Sequence, residues 1–125
     1  MIGNITLDDF YEICDEFNLE FNALDDYYIM HSKNIKSREI SGCIAVYNKT
    51  IKTMSVANGI RVIWKQNNKT HETIFSHLEF QSLYKYVNVN YAKKQIQNVL
   101  KNYKDIKVML KMKEIDKDFK WLMKI

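Results

Sequence analysis

The stretch TLDDFYEICDEF (residues 6–17) spaces Leu7, Phe10, Cys14 and Phe17 three and four apart, with Ile13 beside them. Asp8, Glu12, Asp15 and Glu16 fall on the other side. Residues at that spacing share a helix face, so the pattern predicts an amphipathic helix over residues 7–17. Thr6, with Asp9 three places on, reads as a capping box. Asp8 and Asp9 in the first turn suit the positive end of the helix dipole. Asp8/Glu12 and Glu12/Glu16 are like-charge pairs four apart, each costing about 0.2–0.5 kcal/mol. The helix therefore calls for a well-packed inner face or for cations beside it.

From residue 27 the period changes to two. YYIMHS (27–32) and ISGCIAVY (40–47) are rich in β-branched and aromatic residues and read as strands, and NKT turns the second into IKTMSV (51–56). Asn58-Gly59 is the strongest hairpin signal in the chain, because both residues accept positive φ. It leads into IRVIWKQ (60–66), with Ile60, Val62 and Trp64 on one face. NNK turns the chain again into THETIFS (70–76). The expectation is an antiparallel meander of four to five short strands.

Helical spacing returns at Ser76. Ser76 and Glu79 read as a second capping box, with Phe80, Leu83, Tyr84 and Val87 along one face. Asn88 and Asn90 suit a break, and a further helix starts at Tyr91 with Ile96, Val99 and Tyr103 inward. Two readings stay open for residues 105–113. Ile106 and Leu110 continue the helical stripe, while Ile106, Val108, Leu110 and Met112 alternate as a strand would. DKDFKWLMKI (116–125) reads as a short helix with Phe119, Leu122 and Met123 inward. The expected fold class is α+β: an N-terminal amphipathic helix, a β-meander, then two to three C-terminal helices.

That element order resembles a double-stranded-RNA-binding domain, and YAKKQIQNVL (91–100) is similar to the lysine-rich start of that fold's last helix. An extra strand, an inserted helix, a longer tail and the lack of a Gly-Pro-x-His loop depart from the pattern. Fold analogy does not carry function in any case.

Composition changes the picture in two ways. With 125 residues, 46% hydrophobic and 13% aromatic, the chain can bury a core and is expected to form a single α+β domain over residues 1–125. Lysine supplies 17 of the 19 basic residues, beside 15 Ile, 12 Asn, 8 Tyr and no Pro. Lys, Asn, Ile and Tyr have A/T-rich codons, so the gene is expected to be A/T-rich, as in low-GC bacteria and their phages and plasmids. No apolar run approaches the roughly 18 residues of a membrane span, and MIGNITLDDF lacks the basic and apolar regions of a secretory signal. A cytoplasmic location with no membrane partner is expected.

Charge is segregated along the chain. Residues 1–32 hold eight acids and neither Lys nor Arg, a net −8, whereas residues 33–125 hold 19 bases and seven acids, a net +12. A chain so polarised either pairs its two parts internally or presents two opposite surfaces.

Candidate chemistry is sparse. His31, His71 and His77 are the three histidines. HETIFSH is not HExxH, and on a strand His71 and His77 would stand about 20 Å apart at ~3.3 Å per residue. Cys14 and Cys43 have no CxxC spacing and read as reduced, packed thiols. There is no GxSxG, and three glycines build no phosphate-cradling loop. No catalytic residue, metal site or cofactor is expected, and the chain reads as non-enzymatic.

Surfaces remain. Asp8, Glu12, Asp15 and Glu16, with Tyr11, form a candidate protein-partner surface. Lys93, Lys94, Lys101, Lys104, Lys107 and Lys111 form a candidate phosphate- or partner-binding surface, salt-dependent if it meets nucleic acid. With Arg38 and Arg61 the chain's two arginines, bidentate base reading is not expected. Tyr11, Tyr27, Tyr28, Tyr84 and Tyr86 exceed what one core holds, and exposed Tyr beside charge suits a protein interface. The acidic helix has three readings: docking on the lysine-rich half, meeting a basic partner as a mimic of phosphates, or steering self-association into a homodimer. The leading expectation is a small interaction protein of a phage or mobile element that binds and modulates or inhibits a host protein or protein–nucleic-acid machine, as anti-CRISPR-like anti-defence proteins do. The alternative is a nucleic-acid-binding accessory protein that holds DNA or RNA without sequence specificity. An immunity or antitoxin protein is a third reading.

Overall fold

Thr6 opens the first helix as its sequence requires. In the computed structural model its hydroxyl accepts from the Asp9 N–H at 3.1 Å, and the Asp9 carboxylate accepts from the Thr6 N–H at 3.3 Å, satisfying two of the helix's orphan donors. The structure describes residues 4–36, 38–81 and 86–123, with the backbone alone at 86–87 and 115–123. Helix α1 spans Leu7–Phe17 and ends at Asn18, whose φ of 55° is left-handed, a conformation Asn tolerates. Phe10, Ile13 and Cys14 are buried. Leu7, which the spacing places with them, is 42% exposed.

Among the described residues eight strands and a second helix follow: β1 (Leu19–Leu24), β2 (Tyr27–Ser32), β3 (Ile40–Ser41), β4 (Ala45–Asn48), β5 (Thr53–Val56), β6 (Ile60–Gln66), β7 (Thr73–Phe80), β8 (Tyr86–Val87) and α2 (Val89–Met123). The class is α+β, but the strands form two sheets rather than one meander: a five-stranded sheet in the order β1-β2-β4-β5-β8 and a three-stranded sheet in the order β3-β7-β6. All pairings are antiparallel except β3 with β7.

Five expectations are corrected. Residues 19–24 form a strand the reading left out. Leu19 and Phe21 pack on its inner face, and Asp25, at φ 52°, turns it into β2. Residues 40–47 split into β3 and β4, because Gly42, at φ 85°, bends the chain between the sheets. That positive φ suits glycine, whereas the space beside it would admit a Cβ in ordinary contact with Phe80. Asn58-Gly59 is not a hairpin turn. The chain leaves β5, already flanked by β4 and β8, for the other sheet, with Ala57 N–H donating to the Ile44 carbonyl at 2.8 Å. The helix expected from Ser76 is absent: Ser76–Phe80 lies in β7, paired with β6, and Tyr86 lies in β8; Leu83 and Tyr84 fall outside the described residues. Finally, α2 is one continuous helix of 35 residues, so residues 105–113 are helical and the separate C-terminal helices merge. Asn88 caps it, its side-chain oxygen accepting from Tyr91 N–H at 2.8 Å. The order that resembles a double-stranded-RNA-binding domain is therefore not the one observed.

The two true hairpin turns beyond β2 are built by Asn side chains. Asn48 Oδ1 accepts from the N–H groups of Thr50 (3.0 Å) and Ile51 (3.2 Å), and Asn67 Oδ1 from those of Lys69 (2.8 Å) and Thr70 (3.4 Å), local bonds that stand in for the ladder. The core gathers under α1. Phe10 stacks on Tyr47 (centroids 4.8 Å apart) and Tyr28 (5.1 Å) and meets Phe21 edge-on at 5.0 Å. Buried Tyr47 donates its hydroxyl to the Ile5 carbonyl at 2.6 Å, a partner buried tyrosines need. From α2, Ala92, Ile96, Val99 and Ile106 enter the same core.

Candidate interaction surfaces

Among the described residues, the ion pairs between the acidic helix and the lysine-rich helix are made by Lys93. Lys93, in the first turns of α2, reaches Glu12 Oε1 at 3.1 Å and Glu16 Oε2 at 3.0 Å. One ammonium thus spans the like-charge pair that the sequence flags as costly. The two carboxylates, Glu16 first, raise the Lys93 pKa. Lys93 is therefore an internal clasp. Of the expected partner surface, Glu12 and Glu16 face this clasp, while Asp8, Tyr11 and Asp15 are exposed.

Helix geometry separates these groups. At about 100° per residue, Leu7, Tyr11, Asp15 and Asp8 occupy one arc, and Glu12 and Glu16 lie beyond it on the Lys93 side. The free arc of α1 thus carries two apolar side chains, Leu7 and Tyr11, each 42% exposed, edged by two carboxylates.

Among the expected lysines, Lys94, Lys101, Lys104, Lys107 and Lys111 are exposed. Lys107 lies 3.8 Å from Glu39, a distance worth little at the surface. Tyr103 donates its hydroxyl to Glu39. That bond, then the nearby Lys107, lowers the Glu39 pKa, while burial, then the Glu39 carboxylate, pushes the Tyr103 phenol up to about 12. Among the described residues the ion pairs of α2 involve Lys93 and Lys107.

A concavity lies where α2 crosses the β6–β7 hairpin. Trp64 pairs with Phe75 and Ile63 with His77, so Ser76 is an extra residue in β7. Such a bulge resets side-chain alternation. It brings the Phe75 ring edge-on to Trp64, centroids 6.1 Å apart. Both rings stay open, at 40% and 39% exposure, beside Leu110 and Lys113 of α2. The Lys113 ammonium sits 4.6 Å from the Trp64 ring centroid, a cation–π contact. A cleft of about 550 Å³ is lined by Trp64, Thr73, Ile74, Phe75, Leu110, Lys113 and Glu114. Two adjoining hollows share Phe75 and Leu110 and bring in Lys107 and Lys111. The floor is apolar, and the rim sets Lys107, Lys111, Lys113 and Arg38 against Glu39 and Glu114.

The sequence reading placed Trp64 on one strand face with Ile60 and Val62 and did not name Phe75, Leu110 or Lys113 as site residues. The bulge that gathers them has no local sequence signal beyond β-rich flanks. Among the described residues, no three His, Cys, Asp or Glu side chains stand close enough to hold a metal ion, and no helix is long and apolar enough to cross a membrane. His71 and His77 are exposed and His31 half-buried. Burial pushes the Cys14 thiol up to about 11 and raises that of Cys43, the opposite of what a nucleophile needs. Compared with known proteins, the chain matches no family model, no curated protein and no solved structure.

Proposed function

We propose that this chain is a small, non-catalytic interaction protein that docks on a host protein or protein–nucleic-acid machine and modulates or inhibits it. The observation that carries this reading is the cleft between the β6–β7 hairpin and α2. Trp64 and Phe75 are held open to solvent beside Leu110 and ringed by Lys107, Lys111 and Lys113. Large aromatics that anchor in apolar pockets, with charge at the rim, concentrate binding energy at protein interfaces. The A/T-rich coding implied by the Lys, Asn, Ile and Tyr content supports a phage or mobile element of a low-GC host as its source.

The test is affinity capture from a low-GC bacterial lysate with three baits: the wild type, Trp64→Ala with Phe75→Ala, and Tyr27→Ala, a variant of an exposed tyrosine outside the cleft. The reading expects a discrete protein held by the first and third baits and lost by the second. Equal capture by all three, or none, overturns it.

A second reading rests on Lys94, Lys101, Lys104 and Lys111, exposed on α2 and, among the described residues, outside its ion pairs. These lysines can follow a phosphate backbone by charge alone. Gel shifts with single- and double-stranded DNA and RNA over a salt series separate the two readings. Tight binding that weakens steeply with salt favours the second, and no shift at low salt removes it.

A further inference from the structure

We infer that the aromatic cleft of one copy receives the free arc of α1 from a second copy. The cleft calls for an apolar anchor flanked by negative charge. That chemistry is carried by this chain itself: Leu7 and Tyr11 are exposed, with Asp8 and Asp15 beside them on the arc that Lys93 does not occupy. The cleft supplies the complement, with Trp64, Phe75 and Leu110 as floor and Lys107, Lys111 and Lys113 as rim. Glu114 also lines it, and Lys107 stands near Glu39, so the excess positive charge at the rim rests on Lys111 and Lys113.

A copy's own α1 cannot fill its own cleft. Lys93 holds Glu12 and Glu16 at the start of α2, and Lys111 lies about 27 Å further along the helix axis at 1.5 Å per residue. The contact joins different surfaces of the two copies. It therefore either closes reciprocally into a two-fold dimer or runs head to tail into longer assemblies. A cleft filled in this way is withheld from any other ligand, so self-association sets how much open cleft is present.

The experiment uses the purified full chain in sedimentation velocity from micromolar to about 0.5 mM protein, at about 50 mM and 500 mM salt. The expected result is concentration-dependent association that weakens about tenfold or more at the higher salt. Two variants then test the pairing: Asp8→Lys with Asp15→Lys, and Lys111→Glu with Lys113→Glu. Each alone presents like charges on both surfaces and is expected to be monomeric. Mixed one to one, they restore opposite charges at both contacts and are expected to associate. A monomeric wild type throughout the range overturns the inference, as does association that both variants retain or a mixture that stays monomeric. If either variant loses its fold by circular dichroism, Tyr11→Ala and Trp64→Ala test the same contact. Both should shift the chain to monomer, and retention by either overturns the assignment. Because no host protein is present, failure here leaves the lysate result standing, and the reverse.

Discussion

At its N-terminal end α2 takes Ala92, Ile96 and Val99 out of water and closes Lys93 onto two carboxylates of α1. Further along, the same helix leaves Val108 59% and Met112 63% exposed and crosses a hairpin whose Trp64 and Phe75 are open to solvent. The residue types are alike and the packing is not. Near α1, Phe10 lies within 5.1 Å of three other rings, and the Tyr47 hydroxyl has a buried acceptor. At the far end, two rings meet edge-on and a lysine covers one of them. The cause is the number of elements that converge. Phe10 is enclosed between its own helix and rings from three strands of the five-stranded sheet, whereas one hairpin and one helix cannot surround an indole. The first region is the part that holds the fold, and it holds the second out as a surface.

Two truncations test that division most severely. Phe10→Ala removes a fully buried ring and is expected to cost about 3–5 kcal/mol, a large share of a typical domain's stability. Trp64→Ala removes a larger side chain that is already 39% exposed, together with one cation–π contact worth about 0.5–1 kcal/mol, and is expected to cost about 1–2 kcal/mol in all. Urea midpoints measure both. Equal losses would mean that the far end is as much core as the near end.

The two hydroxyl bonds divide in the same way. Tyr47→Phe leaves the carbonyl of fully buried Ile5 without its donor and is expected to cost about 1–3 kcal/mol. Tyr103→Phe strips a donor from Glu39, which stays partly exposed and keeps Lys107 nearby. About 1 kcal/mol or less is expected. A larger loss at Tyr103 in chemical denaturation would reverse the ranking of the two ends.

How far this contrast could be read beforehand depends on how local each signal is. The bounds of helix α1 were legible because its cap and its stripe are settled within four positions, although Leu7, read as part of the stripe, is 42% exposed. The clasp was half legible: the repulsion among Asp8, Glu12 and Glu16 called for cations, but nothing in the sequence singled out Lys93 from the other lysines of that surface as the partner of Glu12 and Glu16. Asn58-Gly59 and Ser76-x-x-Glu79 misled for one reason. Each is a sound local motif overruled by pairing at a distance. β5 is flanked by β4 and β8, and Ser76 bonds His77 Nδ1 at 3.0 Å inside a strand held by β6. The cleft was least legible, since the bulge that turns Phe75 toward Trp64 exists only once β6 and β7 are aligned.

The Tyr103–Glu39 pair sharpens the comparison through pH. Its phenol is pushed up to about 12, above the ordinary value near 10, so the folded state favours the neutral form. This contribution is whole below about pH 10 and is lost as pH rises from about 10 to 12. Glu39 runs the other way. Its lowered pKa gives stability that is present above the ordinary carboxylate pKa and lost as pH falls through the folded value. Tyr103→Phe should therefore flatten part of the stability profile at both extremes. Thermal midpoints across pH 3–5 and pH 9–12 check this, and an unchanged profile would show that the pair carries no weight.

The smallest expected effect is at the clasp. The Lys93 pKa is raised by Glu16 and Glu12, so its contribution is whole below the ordinary lysine value and fades as pH rises through the folded one. Both partners are substantially exposed, with Glu12 at 64% and Glu16 at 48%, and salt screens such contacts. Lys93→Gln removes the cation and leaves Glu12 and Glu16 repelling each other, so salt should act oppositely on the two proteins, weakening the wild type's attraction and relieving the variant's repulsion. The difference in their urea midpoints should therefore narrow steadily as salt is raised. A gap that salt does not move would mean that the Lys93 stem, rather than its charge, is what packs against α1.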